Sequence, residues 1–373
     1  MRAIETCRTP VLGGRVDVCD QCGQAQIVCH SCRNRHCPTC QSMSQARWIE
    51  GRLRRLLPTS YFHVVFTVPD ALLNAIILRN RKLFFDLLFA AGSQTLLQLG
   101  ADPNRLGAQL GVTAVLHTWT RDLKFHVHLH CIVTGGGLHP DGDRWLSTPQ
   151  HFLFPVKVLS KLFRGKLLAS LNAAYRDSRL ALGGACEPLQ DPKAFARLRD
   201  KLYKTEWVSY AKQPFAGPEQ VFKYLGRYTH RVGISNQRLL ALTDGGVLFR
   251  TKGDATALLP PEQFIGRFLQ HVLPPRFLKI RHYGLHAPAN ATTRLETARH
   301  LLESAQPKGP SAIPVLTALT LAADQNEPSP VQDWRALLFR LTGIDPTRCR
   351  YCGGPLHSTP LSVPPRKPPD DSS

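Results

Sequence analysis

Three histidines alternate with apolar residues in Phe125-His126-Val127-His128-Leu129-His130-Cys131-Ile132-Val133-Thr134. Successive side chains of a strand point to opposite faces, so all three imidazoles leave from one face and make a platform for a metal ion. Among only 15 histidines in 373 residues, His-x-His-x-His is far rarer by chance than one His-x-His, and metal binding outweighs the reading as satisfied strand histidines. A second group is Lys223-Tyr224-Leu225-Gly226-Arg227-Tyr228-Thr229-His230-Arg231. Tyr224 and Tyr228 are four apart and share one face of a helix, amid Lys223, Arg227 and Arg231. Such pairs are more often packing residues than nucleophiles, because a phenol of pKa near ~10 attacks poorly at neutral pH. A cation or metal beside it favours the phenolate and changes that balance.

Together the two groups fit one reaction class. A metal on His128 and His130 can polarise a scissile phosphate while a tyrosine attacks phosphorus and keeps the DNA end as a phosphotyrosine. The surrounding Arg and Lys would hold the substrate and spread the growing charge. Because the ester conserves the energy of the broken bond, this assembly predicts cutting and rejoining.

Most of the cysteines are gathered at the start of the chain, at Cys7, Cys19, Cys22, Cys29, Cys32, Cys37 and Cys40. Cys19-x2-Cys22 and Cys37-x2-Cys40 are two knuckles joined by the stretch from Gly23 to His36, a spacing that predicts one tetrahedral structural zinc. Cys7, Cys29, Cys32, His30 and His36 remain for a second zinc, without a spacing that chooses among them. Cys349-Arg350-Tyr351-Cys352-Gly353-Gly354 looks like half of a zinc ribbon with only His357 nearby. Cys131 and Cys186 stand alone and read as core residues. Arg33, Arg35, Arg47, Arg52, Arg54 and Arg55 interleave or follow the second knuckle. On a zinc-stapled module they point to a phosphate-binding surface.

The elements that must carry these groups are legible in outline. Arg47 to Leu57 reads as a basic helix ended by Pro58. Tyr61 to Val68 reads as a strand, and Ala71 to Leu99 as one or two amphipathic helices. Val112 to Thr120 and Phe125 to Thr134 read as strands, the latter followed by Gly135-Gly136-Gly137 and an Asp141-Gly142 turn. Helices are predicted over Lys157 to Tyr175, Pro218 to Arg231 and Pro260 to Leu273, with a hairpin from Arg238 to Thr251. The boundaries predicted are 1–57 for a zinc-binding DNA-recognition domain, 58–285 for the catalytic domain, and 286–373 for a Pro-rich C-terminal region ending in a disordered tail.

Charge and composition set the outer limits. With 47 Lys and Arg against 27 Asp and Glu, the formal charge is +20, which suits a polyanionic partner. The most hydrophobic stretch, Ala71 to Ala91, is broken by Asn74, Arg79, Asn80, Arg81, Lys82 and Asp86, so no membrane span is predicted. The N-terminus lacks the apolar core of a secretory signal. A cytoplasmic chain keeps its thiols reduced, which favours metal ligands over disulfides.

Three stretches resemble the bacterial transposases of the insertion-sequence-91 family, within the HUH single-strand endonuclease superfamily. They are the Cys-rich start with Ser31-Cys-Arg-Asn-Arg-His-Cys-Pro-Thr-Cys40, the strand His126-Val-His-Leu-His130 before its glycines, and Tyr224-Leu-Gly-Arg-Tyr-Thr-His-Arg-Val-Gly-Ile-Ser-Asn236. The resemblance spans roughly residues 7 to 290. It implies an α+β fold, with a central antiparallel HUH sheet flanked by helices and preceded by a small Cys-rich zinc-binding domain. It also implies rolling-circle-like transposition through a 5'-phosphotyrosine, with Mg2+ or Mn2+ on His128 and His130 and with Tyr224 and Tyr228 as the catalytic pair. His126, His230 or a residue elsewhere would be the third ligand, and Cys19, Cys22, Cys37 and Cys40 would be the zinc module. The partners implied are single- and double-stranded DNA at transposon ends and target, in the bacterial cytoplasm at the nucleoid. Two other functions fit parts of the same residues: a zinc-dependent DNA-binding regulator without catalysis, and a three-histidine metallohydrolase acting on nucleic acid.

Overall fold

A computed structural model describes residues 2–212, 233–305 and 334–361. Lys223, Tyr224, Arg227, Tyr228, His230 and Arg231 lie outside the described residues, as does the predicted helix over Pro218 to Arg231 and the tail beyond residue 361. The strands in chain order are β1 (Gly14–Cys19), β2 (Ala25–Cys29), β3 (Tyr61–Thr67), β4 (Gln109–Trp119), β5 (Phe125–Leu138) and β6 (Trp145–Ser147). They continue as β7 (Ser209–Lys212), β8 (Leu239–Thr243), β9 (Gly246–Arg250), β10 (Thr256–Leu259), β11 (Ile280–Gly284) and β12 (Leu356–Pro360). The first six helices are α1 (Arg2–Glu5), α2 (Ser42–Leu53), α3 (Asp70–Arg79), α4 (Arg81–Ala101), α5 (Val156–Arg176) and α6 (Pro192–Lys204). Shorter helices follow at Pro261–Gln270, Arg294–Ser304 and Trp334–Thr342. The fold is thus α+β with antiparallel sheets, and it divides into two compact units.

The larger unit takes in residues 49–212 and 237–305 of the described chain. Its six-stranded sheet runs in the order β11-β4-β5-β3-β7, with β6 beside β5, and a second sheet runs β10-β9-β8. Alternation along the central strands sorts the residues by face. Phe62, Val64 and Phe66 of β3, Val112, Ala114 and Leu116 of β4, and Val127, Leu129, Cys131 and Val133 of β5 all enter one core. That core is closed by Phe84, Phe85, Leu88 and Phe89 of α4 and by Leu159, Phe163 and Leu167 of α5. Each of the larger side chains here, taken fully out of water, stabilises the fold by roughly 1.5–3 kcal/mol. The intervening residues, the histidines among them, are left to the opposite face.

Helix α4 is long and apolar enough by length and composition to cross a membrane, but most of it is buried. Its Phe84, Leu88, Phe89, Leu96 and Leu99 are buried in the core, so its apolar surface is that of a core helix. The Ala71 to Leu99 stretch is split at Asn80, whose buried amide donates to the carbonyls of Ile76 and Ala181 and accepts from Ala181 N–H at 2.7 Å.

The glycine triplet departs from its predicted place after a strand. β5 continues through Gly135, Gly136 and Gly137 to Leu138, paired with β4 on one side and β6 on the other. A Cβ at Gly135 would lie 2.0 Å from Ser60 Oγ, and one at Gly137 would lie 2.6 Å from the Gln109 carbonyl. The triplet therefore lets neighbouring backbone close in on the strand, and the Asp141-Gly142 turn does the reversing, with Gly142 N–H bonded to the His139 carbonyl.

The smaller unit comprises the described residues 2–48, 233–236 and 334–361. Its sheet runs β12-β1-β2. Composition sets 286–373 apart as a Pro-rich region, yet Leu356–Pro360 pairs residue by residue with β1, from Cys19↔Leu356 to Arg15↔Pro360. Pairing between strands from opposite ends of the chain has no local signature in either segment.

Three histidines of the larger unit make its stability pH-dependent. Burial, reinforced by Arg81, pushes His271 down to about 4; burial with Arg52 and Arg55 nearby takes His282 to about 4. Burial, then His282 and the same arginines, takes His286 to about 3. Each is neutral when folded, so in the window from about 6.5 down to these values the unfolded chain binds more protons. The stability they supply is complete above pH ~6.5 and is lost as pH falls toward 4. Each proton taken up on unfolding adds about 1.4 kcal/mol per pH unit to that slope. Denaturation midpoints measured from pH 7 to 5 should fall steadily; a flat profile there would contradict the neutral burial.

Candidate active site and cysteine clusters

β3, β4 and β5 set the site by register. His117 of β4 lies directly opposite His128 of β5, and Val65 of β3 lies opposite His130. One ring nitrogen from each of His117, His128 and His130 falls within 4.8 Å of the others. His117 is absent from the ligand set that the sequence suggests. The strand that carries it is predicted, but the register that brings it to His128 is not. His126, grouped by sequence with the other two, points its Nδ1 to Asp70 Oδ2 at 2.5 Å, at the first turn of α3, and is not in the cluster of three.

These imidazoles line an open cleft of about 410 Å³, together with Val65, Thr67, Trp119, Arg121, His126 and Tyr210. Burial, then the neighbouring His126, drives His128 down to about 4. Burial and the adjacent imidazoles hold His117 and His130 well below the ordinary histidine value. All three are consequently neutral at pH 7 and offer lone pairs. His128 donates from Nδ1 to the His126 carbonyl at 3.0 Å, which leaves its Nε2 as the lone-pair nitrogen. His130 Nδ1 shares a proton with His63 Nε2 at 2.7 Å; when His130 donates, its Nε2 is likewise open. Three neutral imidazoles, two of them oriented by such outer bonds, fit a divalent ion, and nitrogen donors suit Mn2+ better than Mg2+. Tyr210 stands edge-on to His63 with centroids 6.2 Å apart, and burial raises its phenol pKa, so it suits packing better than attack.

The N-terminal cysteines do not converge as the two knuckles predict. Cys37 and Cys40 group with Cys7 and Cys32, whereas Cys19 and Cys22 group with Cys349 and Cys352. The spacing between the knuckles could accommodate one site, but the pairing of β1 with β12 brings a third knuckle to Cys19 and Cys22 instead. Cys7 and Cys32 thus join the second knuckle, and neither Cys29 nor His36 is in either quartet. Backbone N–H groups of Cys22 and Gln21 pull the Cys19 thiol down to about 7 against the effect of burial. Those of Cys352 and Tyr351 likewise lower that of Cys349. Cys131 and Cys186 are buried core residues. Arg33 is exposed with φ at 51°, and Arg35 is half-buried. Arg52, read as a surface cation, instead turns inward, with Nη1 3.0 Å from His282 Nε2.

Comparison with known proteins points to transposases. Residues 1–68 match the family model described as "Transposase zinc-binding domain", and residues 111–294 match the one described as "Putative transposase". The chain is 49% identical over 313 residues to "Putative transposase y4qJ" of Sinorhizobium fredii (strain NBRC 101917 / NGR234), covering 82% of this chain and 78% of that one. It is 26% identical over 370 residues to "Transposase for insertion sequence element IS801" of Pseudomonas savastanoi pv. phaseolicola, covering 93% and 79%. No solved structure matches. With a zinc-binding domain at its head, a DNA-processing domain behind it and relatives that share most of its length, the chain belongs to the insertion-sequence-91 family of transposases.

Proposed function

We propose that this transposase is a two-tyrosine HUH nuclease that nicks and rejoins single-stranded DNA through a 5'-phosphotyrosine, moving its element by a rolling-circle-like route. The observation that carries the reading is the triad of neutral imidazoles at the floor of an open cleft. A divalent ion on His117, His128 and His130 would supply Lewis-acid polarisation of the scissile phosphate. Asp70 holds His126 at the rim of the cleft. His126 and His63 orient the ligands through the carbonyl and ring bonds described above. The phenolic oxygen of Tyr224 or Tyr228 loses its proton to solvent as it bonds to phosphorus, the P–O3' bond breaks, and the departing 3'-oxygen takes up a proton to become a hydroxyl. Rejoining reverses these steps with an incoming 3'-hydroxyl. Lys223, Arg227 and Arg231 would bind the phosphates around the tyrosines, and Arg33 and Arg35 those of the end recognised by the zinc module. In a reducing bacterial cytoplasm the cysteines stay available as zinc ligands.

The reading is tested by incubating the full chain with Mn2+ or Mg2+ and labelled single-stranded DNA from the element's ends, then denaturing in SDS. A labelled protein–DNA adduct of the chain's mass is expected only when metal is present. Specific binding without adduct or cleavage under any metal would favour the non-catalytic regulator.

A further inference from the structure

We propose that Cys19, Cys22, Cys349 and Cys352 form a second structural zinc site, distinct from Cys7, Cys32, Cys37 and Cys40, built from both ends of the chain. The C-terminal pair lies far beyond the stretch matched as a zinc-binding domain, residues 1–68.

The two knuckles have the same backbone design. Gly23 N–H bonds the Cys19 carbonyl at 3.0 Å, and Gly353 N–H bonds the Cys349 carbonyl at 3.0 Å. Cys19 N–H reaches the Gln24 carbonyl at 2.9 Å, and Cys349 N–H reaches the Gly354 carbonyl at 2.8 Å. Both glycines take positive φ, 71° and 76°, a region that costs a residue with a Cβ. Each loop thus holds its two sulfurs on one side, and the loops face each other. Cys19 Sγ is 3.4 Å from Cys352 Sγ, and Cys22 Sγ is 3.7 Å from Cys349 Sγ. Four thiolates about 2.3 Å from a tetrahedral zinc stand about 3.8 Å apart, close to these values. A disulfide would require about 2.05 Å, and every cysteine here is a free thiol.

The smaller unit needs such a centre. Of its described hydrophobic residues, the buried ones are Cys19, Cys37, Cys40 and Cys349, with Ile234 and Leu337 besides. Among the described residues too little apolar surface is removed from water to hold it, and metal supplies the missing stabilisation in modules of this kind. The pairing of β1 with β12, with Ser358 Oγ on buried Asp17 Oδ1 at 2.6 Å, brings the knuckles together in register. A chain that stops before Cys349 lacks half of these ligands, so the N-terminal module is completed only by the C-terminal segment.

Metal analysis of the purified full chain should find about two zinc ions per chain. C349S/C352S should retain one, and C37S/C40S should also retain one. Alkylation of the wild-type chain, read by mass spectrometry, needs no variant: Cys19, Cys22, Cys349 and Cys352 should be protected together and released together by a chelator. A single zinc per wild-type chain, or rapid alkylation of Cys349 and Cys352 while Cys19 and Cys22 stay protected, would overturn the proposal.

Discussion

Replacing Tyr224 and Tyr228 together by phenylalanine is expected to eliminate the SDS-stable adduct and to reduce strand cleavage by roughly 10³-fold or more. Phenylalanine preserves ring volume and helix-forming tendency, so the change removes only the oxygens that would bond to phosphorus. Each single variant should keep one cleavage and lose the other if the tyrosines serve different strands, a split visible with separately labelled donor and target strands. Undiminished cleavage by the double variant, without adduct, would reassign the nucleophile to water and make the protein a three-histidine hydrolase. Binding to the same DNA is expected to change little, since affinity for a polyanion comes chiefly from Lys and Arg in a chain of charge +20.

Replacing His117 by alanine carries the second large effect. Only His117 of the three clustered imidazoles lies outside the His-x-His-x-His run, and it is buried against His128 and His130. If the cluster holds the proposed ion, losing one of three nitrogen donors would weaken its binding and remove part of the charge stabilisation, an effect of several kcal/mol. Metal-dependent nicking should fall by about 10²–10³-fold, with part of the loss recovered at high Mn2+. His126→Ala should cost far less, about 10-fold, because alanine keeps the main-chain carbonyl that accepts from His128 and loses only the side-chain bond to Asp70. Thermal unfolding of both variants separates lost chemistry from lost fold. Equal activities for the two, or a larger loss in His126→Ala, would show the ligand set to be the consecutive strand histidines and not the cross-strand cluster.

The contrast between His117 and His128 shows how far local pattern reaches. His128 and His130 are legible because a strand has period two and both lie in one strand. The strands read over Tyr61 to Val68 and Val112 to Thr120 are found at Tyr61–Thr67 and Gln109–Trp119. What cannot be read is that β4 pairs with β5 so that residue 117 meets residue 128. That register depends on burying Leu116 and Leu129 on one side while both histidines face the other, a condition on two strands at once. The glycine triplet misleads for a related reason: glycine marks a turn when nothing presses on it, but here Ser60 and Gln109 do.

The sequence by itself determined the chemistry on offer: imidazoles on one strand face, thiol pairs in knuckles, paired tyrosines among cations, and enough positive charge to seek DNA. Those properties belong to residue types and to spacings of two to four, which the backbone's own periodicities convert directly into geometry. Only the tertiary structure decided which groups meet. It put His117 with His128 and His130, set His126 against Asp70, and joined Cys19 and Cys22 to Cys349 and Cys352 from the far end of the chain. Such partnerships are chosen by strand register and by the burial of the opposite faces, quantities that exist only when distant segments compete for the same core.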